Sequence, residues 1–173
     1  MIHRALGSLL TSAAVVWIAS CGAGGSGLTA PIPENATNPV GIKYSGATKA
    51  RMVDIVTKAV SDLGLTTIQA DKSRGFVETA FVDVGDFSVL STQAEGYAPQ
   101  ERLVYFEFQI LTPDRGPNTL QTAGYYRPFR PLQNVLLPKS HPGFQVLYAL
   151  EQNIKRGMTQ ANVTIVPTDT LGA

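Results

Sequence analysis

The 173-residue chain sets 14 Lys and Arg against 13 Asp and Glu, a formal charge of +1, and has no run of basic side chains, which excludes the electrostatic footprint of a nucleic-acid binder. A single cysteine excludes an internal disulfide, and two histidines beside it are too few for a typical zinc site. Hydrophobic residues make up 44% of the chain, enough to build a core. In chain order, Met1 to Arg4 forms a short n-region whose firm positive charge is Arg4. Ala5 to Ala19 forms an uncharged apolar h-region, too short to span a bilayer comfortably, so residues 1–20 are expected to be a signal peptide.

Ile18-Ala19-Ser20-Cys21 closes that segment with an apolar residue, two small residues and a cysteine. The motif resembles the lipobox of bacterial lipoproteins. The resemblance implies that the Cys21 thiol is alkylated with diacylglycerol, that residues 1–20 are cut away, and that the new amino group is acylated. Each buried acyl CH₂ contributes roughly 0.8 kcal/mol, so two or three chains hold a protein at a bilayer where one binds marginally. Gly22 stands where that family's inner-membrane retention signal has Asp. This implies an outer-membrane lipoprotein facing the periplasm, or the exterior of the plasma membrane in a host with one membrane. Losing Arg4 with the signal leaves 153 residues with 13 basic and 13 acidic side chains.

Residues 21–40 are rich in Gly, Ala, Ser, Thr, Pro and Asn and predict a flexible tether; residues 41–167 are the size of one domain, and 168–173 form a polar tail. The apolar spacing of Met52, Ile55, Val56, Ala59, Val60 and Leu63 predicts a helix over Thr48 to Leu63, capped by Thr48 or Ser45 and stopped at Gly64. Strands are expected at Leu65 to Ala70 and Phe76 to Val84, joined by the turn Asp71-Lys72-Ser73-Arg74-Gly75. Gly85 to Gln100 is expected to be mainly a long loop. Arg102 to Leu111 shows a period of two, with Val104, Phe106, Phe108 and Ile110 on one face and Leu103, Tyr105, Glu107 and Gln109 on a mixed opposite face. Past the turn at Pro113 to Pro117, Thr119 to Arg127 is expected to pair back as a hairpin, with Gly124 marking a bulge. Phe144, Leu147, Leu150 and Ile154 predict a second long helix, with Lys155 and Arg156 near its end and Gly157 allowing termination. Asn162 to Val166 is expected to add an edge strand. The expected fold class is α+β: a four- or five-stranded, mostly antiparallel sheet with two helices packed on one face.

Residues 48–84, with an amphipathic helix, Gly64-Leu65, a strand, the turn residues Asp71, Ser73 and Gly75, and a second strand, resemble the helix-plus-sheet modules of outer-membrane lipoproteins such as BamC of the β-barrel assembly machinery. The resemblance covers about 40 residues and stops at Val84. It implies a module of that shape rather than a barrel-assembly role.

Catalytic chemistry is scarce. His141 is the histidine left after export; it lies between Ser140 and Pro142, has no Gly-x-Ser-x-Gly pattern with it, and is expected to face solvent at a helix entry. Asp83 and Asp86 are two carboxylates rather than a calcium cage, and Glu78, Asp83, Asp86, Glu95, Glu101 and Glu107 offer no pair singled out for glycoside hydrolysis. No enzyme, metal or cofactor is therefore expected. The cluster Tyr125, Tyr126, Arg127, Phe129 and Arg130, broken by Pro128, has the residue types of an interface hot spot. With the Gly85 to Gln100 loop it is the expected contact surface for an envelope protein partner; Cys21 supplies the contact with the membrane. The alternative is a groove between sheet and helices for a lipid or other apolar ligand, lined by Phe106, Phe108 and Ile110.

Overall fold

Val104, Phe106, Phe108 and Ile110 alternate along one strand, β5 (Leu103–Leu111), and all four are buried. The structure, a computed structural model, describes residues 28–128 and 133–167. The long hairpin partner of β5 is β6 (Asn118–Tyr126), and the register runs unbroken from Val104 opposite Tyr126 to Leu111 opposite Thr119. On the other side β5 is flanked first by β3 (Phe76–Thr79) and then by β4 (Val82–Asp83). Outward from β3 lies β2 (Thr67–Asp71). Outward from β6 lie β1 (Val40–Ser45), β7 (Val135–Leu136) and, beyond β1, β8 (Thr164–Ile165). The order is β2-β3-β5-β6-β1-β8, with β4 against β5 and β7 against β6, and every one of these pairs is antiparallel.

The fold is α+β, but among the described residues the sheet has eight strands where the sequence predicts four or five. The extra strands are β1, with Ile42 and Tyr44 buried on alternate positions, the two-residue β7, too short to carry any period, and β4, because the strand expected over Phe76 to Val84 is broken at Ala80 and Phe81 into β3 and β4. Helix α1 (Lys49–Asp62) begins at Thr48, whose hydroxyl accepts from Arg51 N at 3.3 Å, and buries Met52, Val53, Val56, Ala59 and Val60. A one-turn α2 (Ser91–Ala94) and a 3-10 turn (Val84–Asp86) occupy the expected loop and turn Leu90 and Ala94 into the core. Helix α3 (Gly143–Gln160) buries Phe144, Leu147, Leu150, Ile154 and Met158. The core is the layer between α1, α3 and one face of the sheet.

Two glycine assignments are corrected. Gly157 lies inside α3, where an added Cβ would stand 3.1 Å from Ile55 Cγ2, so it lets α1 approach α3; the chain leaves the helix later, at Asn162 with φ 55. Gly124 marks no bulge. Its Cβ would stand 2.7 Å from Leu137 Cδ1 and 3.1 Å from the Phe106 ring, so glycine there permits close packing.

The expected tether is also shortened. Of residues 21–40, those from 28 onward lie on the body: Leu28 is 3% exposed, and Ile32 and Ala36 pack on the core. Gln145 Nε2 donates to Ala30 O at 2.7 Å, and Lys139 Nζ donates to the Pro33 and Glu34 carbonyls at 2.6 and 2.9 Å. Three buried or half-buried apolar anchors and these bonds offset the ordering entropy that a polar, proline-rich composition alone would leave unmet. Among the described residues no helix is long and apolar enough to cross a membrane.

Candidate functional site

Because side chains alternate across a strand, the face of the sheet turned away from α1 and α3 is set by the odd positions of β5. On an open antiparallel face those positions are ordinarily polar. Here they include Leu103, Tyr105 and Leu111, and their neighbours add Phe81, Tyr125 and Leu136. The Tyr105 and Tyr125 rings stack at 5.1 Å between centroids with an interplanar angle of 19°, and Phe81 tilts onto Tyr105 at 4.9 Å. The Arg127 guanidinium carbon sits 5.9 Å from the Phe81 ring centre. Asn134 ties the end of this strip together, accepting from Arg127 Nε at 3.3 Å and donating to the Tyr105 hydroxyl at 3.2 Å.

The strip is thereby fixed in place while its outer members stay available. Tyr105 is 7% exposed, whereas Phe81, Leu111 and Leu136 are 48%, 45% and 42% exposed. A side hollow of about 220 Å³ continues the face past Phe76, Glu107, Gln109, Gln121 and Tyr125 to Leu136. Burial, and after it the charge of Glu107, pushes the Tyr105 hydroxyl up to about 12; the same two causes raise Tyr125. Aromatic side chains held in place with part of their area exposed are a residue type enriched at recognition surfaces.

The structure divides the expected contact cluster. Tyr125 and Arg127 belong to the open face. Tyr126, one residue on, points the opposite way and rests 4.7 Å from the His141 ring, so it is no part of that surface. Phe129, Arg130 and Cys21 lie outside the described residues. In the Gly85 to Gln100 segment Leu90 and Ala94 turn into the core and Tyr97 packs on His141 at 4.7 Å, while Asp86, Val89 and most of the polar residues stay exposed. Sequence reasoning missed Phe81, Tyr105 and Leu136. The available signal was the second stripe of β5, whose tyrosine falls opposite Tyr125 once the hairpin register is counted from the turn.

His141 is not the solvent-facing residue expected at a helix entry: it is 2% exposed, between the rings of Tyr97 and Tyr126. Gly143 N–H donates to its Nδ1 at 3.0 Å, which leaves the ring proton on Nε2, donated to the Glu101 carbonyl at 2.9 Å. Both nitrogens are engaged by main chain. Burial holds its pKa below the ordinary 6.5, against a smaller upward pull from Glu101. A depressed histidine pKa stabilises the fold fully above the unfolded value. That contribution falls as pH drops from about 6.5 toward the lower folded pKa. Thermal unfolding at stepped pH is expected to show wild type losing stability below pH 6.5 and His141→Gln losing less over the same interval. Parallel curves for the two proteins would refute the assignment.

Asp83 pairs with Arg102 at 3.0 Å and caps Gly85 N at 2.7 Å, while Asp86 is exposed. Among the described residues no three His, Cys, Asp or Glu side chains gather as metal ligands. Phe106, Phe108 and Ile110 are buried in the core and line none of the described hollows, which include a groove of about 530 Å³ between α1 and α3 and one of about 250 Å³ beside Pro33 and Tyr148. Some of the polar groups that border the α1/α3 groove are already engaged, Lys58 with Asp62 at 2.8 Å, Asp54 with Lys72 at 2.7 Å and Arg51 with the Ala161 carbonyl at 2.7 Å, and Asn153, Arg156 and Gln160 complete its polar lining. Comparison of the chain with protein-family models and with curated proteins finds no match.

Proposed function

We propose that this chain is a lipid-anchored, non-catalytic cell-envelope protein that presents the open face of its sheet to a protein partner. The observation that carries the reading is the stacked strip Phe81–Tyr105–Tyr125 with exposed Leu136 beside it, on a sheet whose helices, among the described residues, cover its other side. A contiguous aromatic and aliphatic surface of this kind is characteristic of interaction sites. The anchor is Cys21, within Ile18-Ala19-Ser20-Cys21. The compartment is the periplasmic side of an outer membrane, or the outside of a single plasma membrane.

A photo-crosslinking amino acid placed at Leu111 or Leu136 in the native membrane is expected to capture one defined envelope protein. The same group at Lys58 on the helical layer is expected to capture none. Mass spectrometry of the mature amino terminus is expected to find acylated Cys21. An unmodified amino terminus at Met1 overturns the anchor, and equal capture from Lys58 and the open face overturns the surface.

A further inference from the structure

Glu78 in β3 and Glu107 in β5 stand directly opposite one another in the sheet register, both on the open face. Like charges so placed repel. Asp54, Asp62, Asp83 and Glu151 each hold a lysine or arginine; among the described residues neither Glu78 nor Glu107 has an ion-pair partner, and unlike other unpaired acids such as Glu34, Asp86 and Asp114 these two face one another across a ladder. The two acids adjoin the aromatic strip, since Tyr105 lies two residues before Glu107 on the same face and Ala123 and Tyr125 follow across the hairpin. The upward shift of the Tyr105 and Tyr125 hydroxyls by Glu107 is the electrostatic trace of that proximity. At the far end of the strip the Phe81 ring already takes a guanidinium, from Arg127. Rings with uncompensated carboxylates beside them offer a cation both a π face and counter-charge.

We infer that the open face takes a basic segment of the partner protein, with a lysine or arginine seated between Glu78 and Glu107 and the neighbouring apolar residues on Tyr105, Tyr125 and Leu136; this rests on the reading of that face as the contact surface. The partner cation relieves the repulsion that the free protein carries. The pair therefore weakens the unbound fold and strengthens the complex.

Binding of dye-labelled peptides alternating Leu with Lys, Leu with Gln or Leu with Glu to the full mature protein in non-ionic detergent tests this by anisotropy. The Lys peptide is expected to bind tightest and to weaken with added salt. Glu78→Gln and Glu107→Gln are each expected to weaken it about fivefold. Tyr125→Ala is expected to weaken it about tenfold. Both Gln variants are expected to melt higher than wild type, which separates lost recognition from lost folding. An unchanged peptide order in the double Gln variant overturns the cation seat, as does equal binding of the Glu peptide or a concentration-dependent dimer competing at the same face. If Leu111 and Leu136 crosslink to a partner segment without lysine or arginine, the seat is wrong and the surface stands. If they crosslink to nothing, the surface itself is wrong.

Discussion

Phe106→Ala is expected to remove about 3–5 kcal/mol of stability, a large share of the 5–15 kcal/mol that holds a domain of this size. The ring is fully buried on the helix-facing side of β5, packed against the backbone of Gly124 opposite. Its main chain is equally committed. β3 covers β5 as far as Glu107, and β4 begins at Val104, so Phe106 falls between the two ladders. The Thr79 hydroxyl fills the interval, accepting from Phe106 N at 2.9 Å. Truncating the ring opens a cavity that neighbours on α3 and β6 cannot fill without moving a strand already fixed by its pairs. In urea the midpoint is expected to drop with an unchanged slope, and Tm to fall by roughly 6–20 °C. Phe106→Leu, which keeps most of the volume, is expected to cost less than half as much. An alanine variant within about 1 kcal/mol of wild type would contradict a filled layer at this position.

That layer was the part most open to sequence reading. The stripe Val104 to Ile110 and the helical spacing in α1 and α3 repeat often enough for a period to register, and the turn at Asp71 has its own chemistry. Asp71 Oδ1 accepts from Arg74 N at 2.9 Å, from the Ser73 hydroxyl at 2.7 Å and from Ser73 N at 2.9 Å, and these bonds hold its carboxyl below the usual range. Gly75 follows at φ 71, where a Cβ would also strike the Lys49 side chain at 2.7 Å. What escaped depends on distant residues. His141 sits in Ser-His-Pro, a sequence that looks exposed, and is buried by Tyr97 and Tyr126, neither of which is near it in the chain. Residues 28–40 look like linker by composition and are held by Gln145, Lys139 and Gly124. The proposed contact face was half legible: residue types singled out Tyr125 and Arg127, but grouping Tyr126 with them ignored the alternation that sends consecutive side chains to opposite faces. Glu78 against Glu107 required the register between strands joined by a long connection, which no local pattern supplies.

Asn38→Ala is expected to cost about 2–4 kcal/mol and to release the arm from Leu28 to Thr37 while leaving the sheet folded. The outer side of β6 is covered by β1 up to Thr122 and by β7 from Tyr125 onward, so Gly124 lies in the interval between those two ladders. The Asn38 side chain occupies it as a peptide group would: Oδ1 accepts from Gly124 N at 3.0 Å, and Nδ2 donates to Gly124 O at 2.8 Å and Leu137 O at 3.1 Å. Gly124 O keeps a second donor, Leu137 N, at 2.9 Å, so the loss on truncation falls mainly on the Gly124 N–H and the Leu137 carbonyl. An unpaired donor in a part-buried site costs more than the bond itself contributed. Asn38→Asp is expected to be the more harmful change, since a carboxylate accepts from Gly124 N but faces two carbonyls with no hydrogen to offer. Hydrogen exchange is expected to rise at Ala30 to Ala36 in both variants, with β5 and β6 still protected; unchanged exchange in the arm would contradict the clamp. On the proposed anchor, the clamp also sets how far the body stands from the bilayer. The seven residues from Cys21 to Gly27 span at most about 25 Å when fully extended, and a chain freed as far as Thr37 more than doubles that limit. Loss of Asn38 is therefore expected to alter the reach of the open face toward the proposed partner as well as the stability of the fold, and crosslinking yield from Leu136 in the native membrane is the measurement expected to register it.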